Sequence, residues 1–174
     1  MNTFANRGMG FEMILDRTNE MYDRKGIAII NKRPTPVKVT SMKGNRVSGF
    51  FQAPSTVDYD GVYNGRPVVF EAKSVKHLTR FDFKNLHQHQ YDYLEKCHQA
   101  GAIAFLLVEF TSQHKTYLLT FEALRPYWRE SQRVNGKKSM NIVDFDIHAY
   151  EVQQGEVPVD YLRVVNEIWF NKAI

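Results

Sequence analysis

The chain has 174 residues, 43% hydrophobic and 13% aromatic, enough for one domain, residues 1–174, with a real core. It lacks the ~20-residue apolar run that spans a bilayer and the charged and apolar regions of a secretory signal; a cytoplasmic protein with no membrane partner is expected. Its single cysteine, Cys97, excludes an internal disulfide and a cysteine-built zinc site.

Residues 8–25 place Phe11, Ile14, Thr18, Met21 and Tyr22 at helical spacing, with Gly26 as the stop, and predict a first helix. Glu12 lies beside that apolar face. Ile27–Ile30 reads as a short buried strand. The segment Lys32-Arg33-Pro34-Thr35-Pro36 cannot be a central strand or a helix, because its prolines lack the donors both require. From Arg24 to Val57 there is no acidic residue, while Arg24, Lys25, Lys32, Arg33, Lys38, Lys43 and Arg46 are basic. The overall charge of +4 is modest, but this run is concentrated, and a polyanion such as nucleic acid is its natural partner. Residues 32–54 are read as a projecting basic stalk with short strand pieces.

The next stretch, DYDGVYNGRPVVFEAK (58–73), reads as a β-hairpin. Asn64-Gly65 is the preferred pair for a type I′ turn. With that turn Tyr63 faces Arg66 and Asp58 faces Glu71. Facing residues of an antiparallel ladder have Cβ atoms roughly 4.5–5.5 Å apart, so two carboxylates there repel unless a cation or a proton lies between them. The period of two puts Lys73 on the face of Glu71, with Val68, Phe70 and Ala72 on the other. Glu-x-Lys alone is a weak signal, equally at home on a solvated strand. Here it follows the continuously apolar Val68-Val69-Phe70, where charge seldom enters without a partner or a task.

Beyond a linker to Arg80, residues 84–100 predict a second helix with Leu86, Gln90, Tyr93, Leu94 and Cys97 on one face, Cys97 as a small core residue, and Gly101 as the stop. Ala102–Val108 and Thr116–Leu119 read as strands, and Thr120 as the cap of a short helix over 121–130. Residues 131–141 are polar and read as a mobile loop; 143–152 are ambiguous, with an edge strand one option. Pro158 opens a last helix that turns Leu162, Val165, Ile168 and Trp169 inward. The order implies an α/β fold with a mixed central sheet.

Asp58, Glu71 and Lys73 suggest a chemistry. Magnesium takes oxygen ligands and keeps several waters, so two carboxylates and a substrate phosphate suffice; manganese is the expected substitute. Such ions activate water and neutralise a leaving oxygen, and an adjacent ammonium stabilises charge on phosphorus. This is a nuclease set. Thr56, two residues before Asp58 and on its face, offers a hydroxyl or a carbonyl. Gln90 fits either the metal shell or a polar position at a sheet edge. Glu12 fits either the same site or an ordinary helix flank. His87 and His89, two apart on a helix, do not share a face and so form no chelate. His77, His98, His114 and His148 are scattered.

With these residues in view, the sequence resembles the RecU family of Holliday-junction resolvases. The likeness rests on NRGMGFE (6–12), GIAIINKRPTPVKV (26–39), STVDYDGVYNGRPVVFEAK (55–73), FKNLHQHQ (83–90) and PVDYL near the end. It implies a restriction-endonuclease-like fold, a homodimer, and magnesium-dependent paired cleavage of opposing strands of a four-way DNA junction, with contact to a strand-exchange recombinase as a further partner. It assigns Thr56, Asp58, Glu71 and Gln90 to the metal, Lys73 to transition-state stabilisation and Glu12 to a supporting catalytic role. The stalk would enter the junction, with Arg7, Lys32, Arg33, Lys38, Lys43 and Arg46 on phosphates, while Phe50 and Phe51 stack on bases or simply pack. Val57 replaces a family threonine, the stalk is a few residues shorter than in cellular members, and the basic N-terminal extension is absent, as in a phage-encoded member. Two alternatives stay open: a related nuclease cutting forks or flaps, and a non-catalytic DNA-binding modulator of recombination.

Overall fold

The computed structural model describes residues 4–52 and 56–171, with side chains of the first helix from Gly10 onward. Helix α1 (Phe4–Arg24) leads into strand β1 (Ala28–Lys32), followed by β2 (Val37–Lys43) and β3 (Arg46–Phe51), then β4 (Tyr59–Tyr63) and β5 (Arg66–Val75). A short strand β6 (Arg80–Asp82) and a 3₁₀ turn precede α2 (Gln88–Gln99), β7 (Ile103–Phe110) and β8 (Lys115–Thr120). The chain closes with α3 (Phe121–Gln132), β9 (Ser139–Asn141), α4 (Ile142–His148), β10 (Tyr150–Val152) and α5 (Tyr161–Trp169). The main sheet runs β1-β4-β5-β7-β8-β10, and β5–β7 is its parallel pair, as a mixed sheet requires. A parallel pair needs a crossover, and α2 supplies it.

Two apolar layers flank the sheet. Phe11, Leu15 and Tyr22 of α1 and Tyr161, Leu162 and Val165 of α5 pack on Val68, Phe70, Ala72, Phe105 and Leu107. On the opposite face Leu94, Leu124 and Trp128 pack on Val69, Ala104, Leu106 and Val108. The alternation along β5 is therefore the one expected, and β7, buried on both faces, is the continuous apolar run that position demands.

Several expectations change. Ile14 is exposed and Leu15 takes its place in the core. The strand after Gly26 runs from Ala28 to Lys32 on the sheet edge, so only Ala28 and Ile30 are buried while Ile29 is 61% exposed. The predicted helix over 84–100 begins only at Gln88: Leu86 is buried but extended, and His87 is the cap. Residues 131–141 are not all loop, since β9 pairs with β6 and buries Met140. The ambiguous 143–152 stretch divides into α4 and the edge strand β10. Pro158 precedes the last helix, which starts after Asp160; Val164 is buried and Ile168 and Trp169 are half-buried. Cys97 is half-buried, and Thr120 caps α3 by accepting from the Ala123 N–H at 3.2 Å.

The basic stretch forms a separate two-stranded ribbon, β2–β3, exposed along both strands. No described helix is long and apolar enough to cross a membrane.

Candidate active site

The site grows from one turn. Asn64 (φ 47°) and Gly65 (φ 74°) both take the left-handed conformation of a type I′ turn. The register follows: Tyr63 faces Arg66 and Tyr59 faces Phe70. Gly61 lies so close to β1 that a Cβ there would meet the Ile29 carbonyl oxygen at 2.0 Å. Asp58 sits one step beyond the last ladder pair, and its side chain continues the pairing that the backbone leaves off. Its N–H donates to Glu71 Oε2 at 3.1 Å, and its Oδ2 accepts from the Ala72 N–H at 3.0 Å. Its carbonyl accepts from the Arg33 N–H at 2.7 Å.

Glu71 is only 1% exposed. Its Oε1 lies 2.6 Å from Lys73 Nζ and accepts from Gln90 Nε2 at 2.5 Å. The Gln90 amide is itself oriented, because its Oε1 accepts the His87 N–H at 2.9 Å as the capping box of α2. Burial pushes the Glu71 carboxyl up to about 8; Lys73 pulls it down, and the neighbouring Asp58 carboxylate raises it again. A buried carboxylate facing another is a place where a proton or a cation must compensate.

Thr56 and Glu12 lie at the edges of this arrangement. Thr56 Oγ1 accepts from Arg33 Nη1 at 2.5 Å. The same guanidinium donates to Tyr93 Oη at 2.9 Å, stands over the Tyr93 ring, and lies 3.6 Å from Asp60. Arg33 thus joins the root of the ribbon, the Asp58 segment and the helix carrying Gln90. Glu12 pairs with Lys32 at 2.7 Å, and no hydrogen bond or ion pair joins it to Asp58 or Glu71 among the described residues. Lys32 is also 3.3 Å from Asp16. Burial works to lower the Lys32 ammonium, and the Glu12 and Asp16 carboxylates outweigh it, leaving it raised. Asp16 accepts from Tyr59 Oη at 2.7 Å, tying α1 to the residue next to Asp58.

Two residues emerge that the sequence reading missed. Asp16 stands four residues after Glu12, the helical spacing that puts both on one face, and that spacing was the available signal. Tyr59 had none beyond its place beside Asp58. Lys32 and Arg33, expected on phosphates, are paired with side chains of their own chain at the surface, whereas Lys38, Lys43 and Arg46 stand on the exposed ribbon with no ion pair among the described residues. The Arg7 side chain lies outside the described residues. Phe50 and Phe51 are exposed on β3, and Lys38 Nζ lies 5.9 Å from the Phe50 ring centre. The His87 and His89 rings lie parallel with centroids 5.5 Å apart, because His87 is the cap and not part of the helix on which the two were separated.

Among the described residues no three His, Cys, Asp or Glu side chains converge as a metal cage. Two carboxylates with hydroxyl and carbonyl oxygens in the same segment form a hard, oxygen-only donor set, while Gln90, expected as a metal ligand, turns its amide N–H₂ to Glu71 and its oxygen to the His87 N–H. That set fits an ion such as magnesium, which retains waters, and not zinc.

Residues 6–167 match the family described as RecU, Recombination protein U. The Holliday junction resolvase RecU of Geobacillus kaustophilus (strain HTA426) is 37% identical over 176 residues, covering 97% of this chain and 88% of the relative. That of Streptococcus pneumoniae (strain CGSP14) is 38% identical over 172 residues, covering 94% and 85%. Among solved structures, Archaeoglobus fulgidus Hjc, a Holliday junction resolvase, aligns at 12% identity with a TM-score of 0.42, over 76% of this chain and 92% of that one.

Proposed function

We propose, because this chain belongs to the Recombination protein U family, that it is a structure-specific endodeoxyribonuclease resolving four-way DNA junctions. The observation that carries the reading is the buried Glu71 carboxylate, held between Asp58, Lys73 and Gln90. A nuclease of the restriction-endonuclease-like type needs these groups together, and here two strands and one helix deliver them to one point.

Asp58 and Glu71 would hold magnesium, or manganese in its place, with the hydroxyl or carbonyl of Thr56 beside them; Gln90, whose Oε1 is taken by the His87 N–H, would join the shell only if its amide turned. The bound ion would polarise the scissile phosphodiester and lower the pKa of an attacking water. Gln90 holds Glu71 in one orientation, so the carboxylate does not have to reorganise when substrate arrives. Lys73, 17% exposed at its side chain, keeps its ammonium at the mouth of the site, where it stabilises charge developing on phosphorus. Glu12 acts in support through Lys32, and Asp16 through the Tyr59 hydroxyl beside Asp58.

Binding falls to other residues. Lys38, Lys43 and Arg46 contact junction phosphates as the stalk enters the crossover. Arg33 serves as a brace between stalk and site. One nuclease domain with one such site makes one cut. Paired cleavage of two like strands requires a second copy, and a two-fold homodimer supplies it to a junction of matching symmetry. A cytoplasmic location accords with this work.

The test is cleavage of a synthetic four-way junction with magnesium, beside a fork, a flap and linear duplex of the same sequence. Paired nicks confined to the junction are expected. Equal cutting of linear duplex would sink the junction reading, preference for the fork or flap would favour a related branched-DNA nuclease, and binding without cutting would leave a non-catalytic modulator.

A further inference from the structure

Between the end of the strand that carries Glu71 and Lys73 and the β6 segment with the 3₁₀ turn after it lies a pocket of about 310 Å3, lined in part by Ser74, Lys76, His77, Arg80, Lys84 and Asn85. None of these belongs to the site or to the ribbon. Resting on the nuclease reading, we infer that this pocket is a phosphate subsite. It holds a backbone phosphate of the strand being cut, one or two nucleotides from the scissile bond.

Position is the first argument. Lys76 stands one residue past the end of β5 and three beyond Lys73, and because an extended chain rises about 3.3 Å per residue, the chain between them spans no more than about 10 Å. The pocket's far wall, Arg80 to Asn85, runs directly into His87 and Gln90. On this reading, a DNA strand whose scissile phosphate rests at Lys73 continues along this wall.

The donor balance is the second. Lys76, Arg80 and Lys84 bring three permanent cations against one lining carboxylate, Asp82. That carboxylate takes only Arg80 Nε, at 2.8 Å, leaving the terminal guanidinium nitrogens without a partner among the described residues. Lys76 and Lys84 have no ion pair among the described residues. The other lining carboxylate-facing donor, Ser74 Oγ, is spent on Glu109 at 2.6 Å, so the pocket's unfilled donors are the cations themselves. An unmatched set of N–H donors around a concavity fits an anion, and the planar Arg fork suits phosphate.

Rigidity is the third. The loop's backbone is pinned: Thr111 N–H donates to the Val75 carbonyl at 2.9 Å, Ser112 Oγ to that of Lys76 at 2.9 Å, and Ile142 N–H to that of Thr79 at 2.8 Å. Gln113 Nε2 donates to the Leu78 carbonyl. Beneath it Phe81 and Phe83 are buried. The cations therefore project from a fixed frame, as a positioning subsite needs.

The experiment combines the full-length Lys76→Ala/Lys84→Ala double variant with four-way junctions that carry a single neutral methylphosphonate at successive positions around the cut. The expected result is a fall of about one in the slope of log affinity against log salt, because both lysines share a single phosphate. One methylphosphonate, one or two nucleotides from the cut, should weaken wild-type binding roughly 3- to 10-fold yet leave the variant's unchanged. A variant with wild-type melting temperature that keeps the wild-type slope, or in which every methylphosphonate effect adds in full, would overturn the subsite alone. Should wild-type protein neither bind nor cut junctions, the nuclease reading itself falls and takes the subsite with it.

Discussion

The ribbon β2–β3 and the hairpin β4–β5 are built by the same device. Each is an antiparallel pair turned at a glycine of positive φ, Gly44 (59°) in one and Gly65 (74°) in the other. Each also brings like charges face to face: Lys43 opposes Arg46 at the ribbon's tip, and Asp58 meets Glu71 at the hairpin's base. The ribbon's cations have no ion pair among the described residues, whereas the hairpin's two carboxylates share one cation, Lys73 at 2.6 Å from Glu71, and leave charge for a second. Burial then separates their roles. The ribbon's charges are screened by water and salt, so each contributes little and binding comes from their number. Glu71 is shielded, so one charge there matters greatly. Binding and chemistry are thus divided between two regions of one design, and experiments can test the division.

The largest effect is expected at the hairpin. Asp58→Asn removes a carboxylate from the cation's place while preserving the shape of the side chain. Junction cleavage should fall on the order of 1,000-fold or more, with the dissociation constant for the junction unchanged within about 3-fold. A gel-shift titration beside single-turnover cleavage separates the two quantities. Comparable losses in both, from a variant that still folds, would mean that the regions are not separable.

The opposite pattern is expected on the ribbon. Replacing Lys38, Lys43 and Arg46 together by alanine should weaken junction binding about 10- to 100-fold near physiological salt and lower the salt slope by roughly three. Cleavage at saturating protein should stay within a few-fold of wild type. A collapse of the saturated rate would show that the ribbon shapes the site as well as the encounter, with Arg33 the obvious link.

That link shows how far the sequence was legible. The turn, the facing of Asp58 and Glu71, the side of Lys73 and the inward placement of Gln90 follow from periods of two and 3.6 and from one Asn-Gly pair, all local rules. What escaped is tertiary. A run of basic residues looks uniform in sequence, yet Lys32 and Arg33 are bonded to Glu12, Asp16, Thr56 and Tyr93, while Lys38, Lys43 and Arg46 have no ion pair among the described residues. Nothing local separates them, because the difference lies in which element each one meets. The helix boundary at Gln88 was missed for a related reason: buried Leu86 has the helical spacing, but its backbone is extended before the His87 cap. Met140 was read as loop because a three-residue strand carries no period of its own.

An intermediate effect follows from the raised Glu71 carboxyl, near 8 against an ordinary value of 4.5. Its folded value lies above its unfolded one, so the contribution to stability is fully present below about 4.5 and is lost as pH rises through about 8. In metal-free protein the melting temperature should therefore decline over this window, and Glu71→Gln should flatten the decline. A cation must displace the proton, so magnesium affinity should rise by up to about tenfold per pH unit between 6 and 8 and level off above. Calorimetric titration at pH 6, 7, 8 and 9 follows this directly. A flat profile would place the charge compensation elsewhere and erase the contrast with the ribbon.

The smallest effect should come from the ribbon's apolar side chains. Met42 is 71% exposed and Phe51 75%, while Phe70, on the hairpin strand, is fully buried. Met42→Ala should change the unfolding free energy by no more than about 0.5 kcal/mol, whereas Phe70→Ala should cost about 3–5 kcal/mol. Denaturant unfolding at micromolar and submicromolar protein compares them. The informative exception is a Met42→Ala loss above about 1 kcal/mol that fades on dilution. A two-stranded ribbon is marginal alone, and concentration dependence would mean that a second copy covers its apolar side, making the ribbon part of the dimer and its charges part of one shared, doubled array.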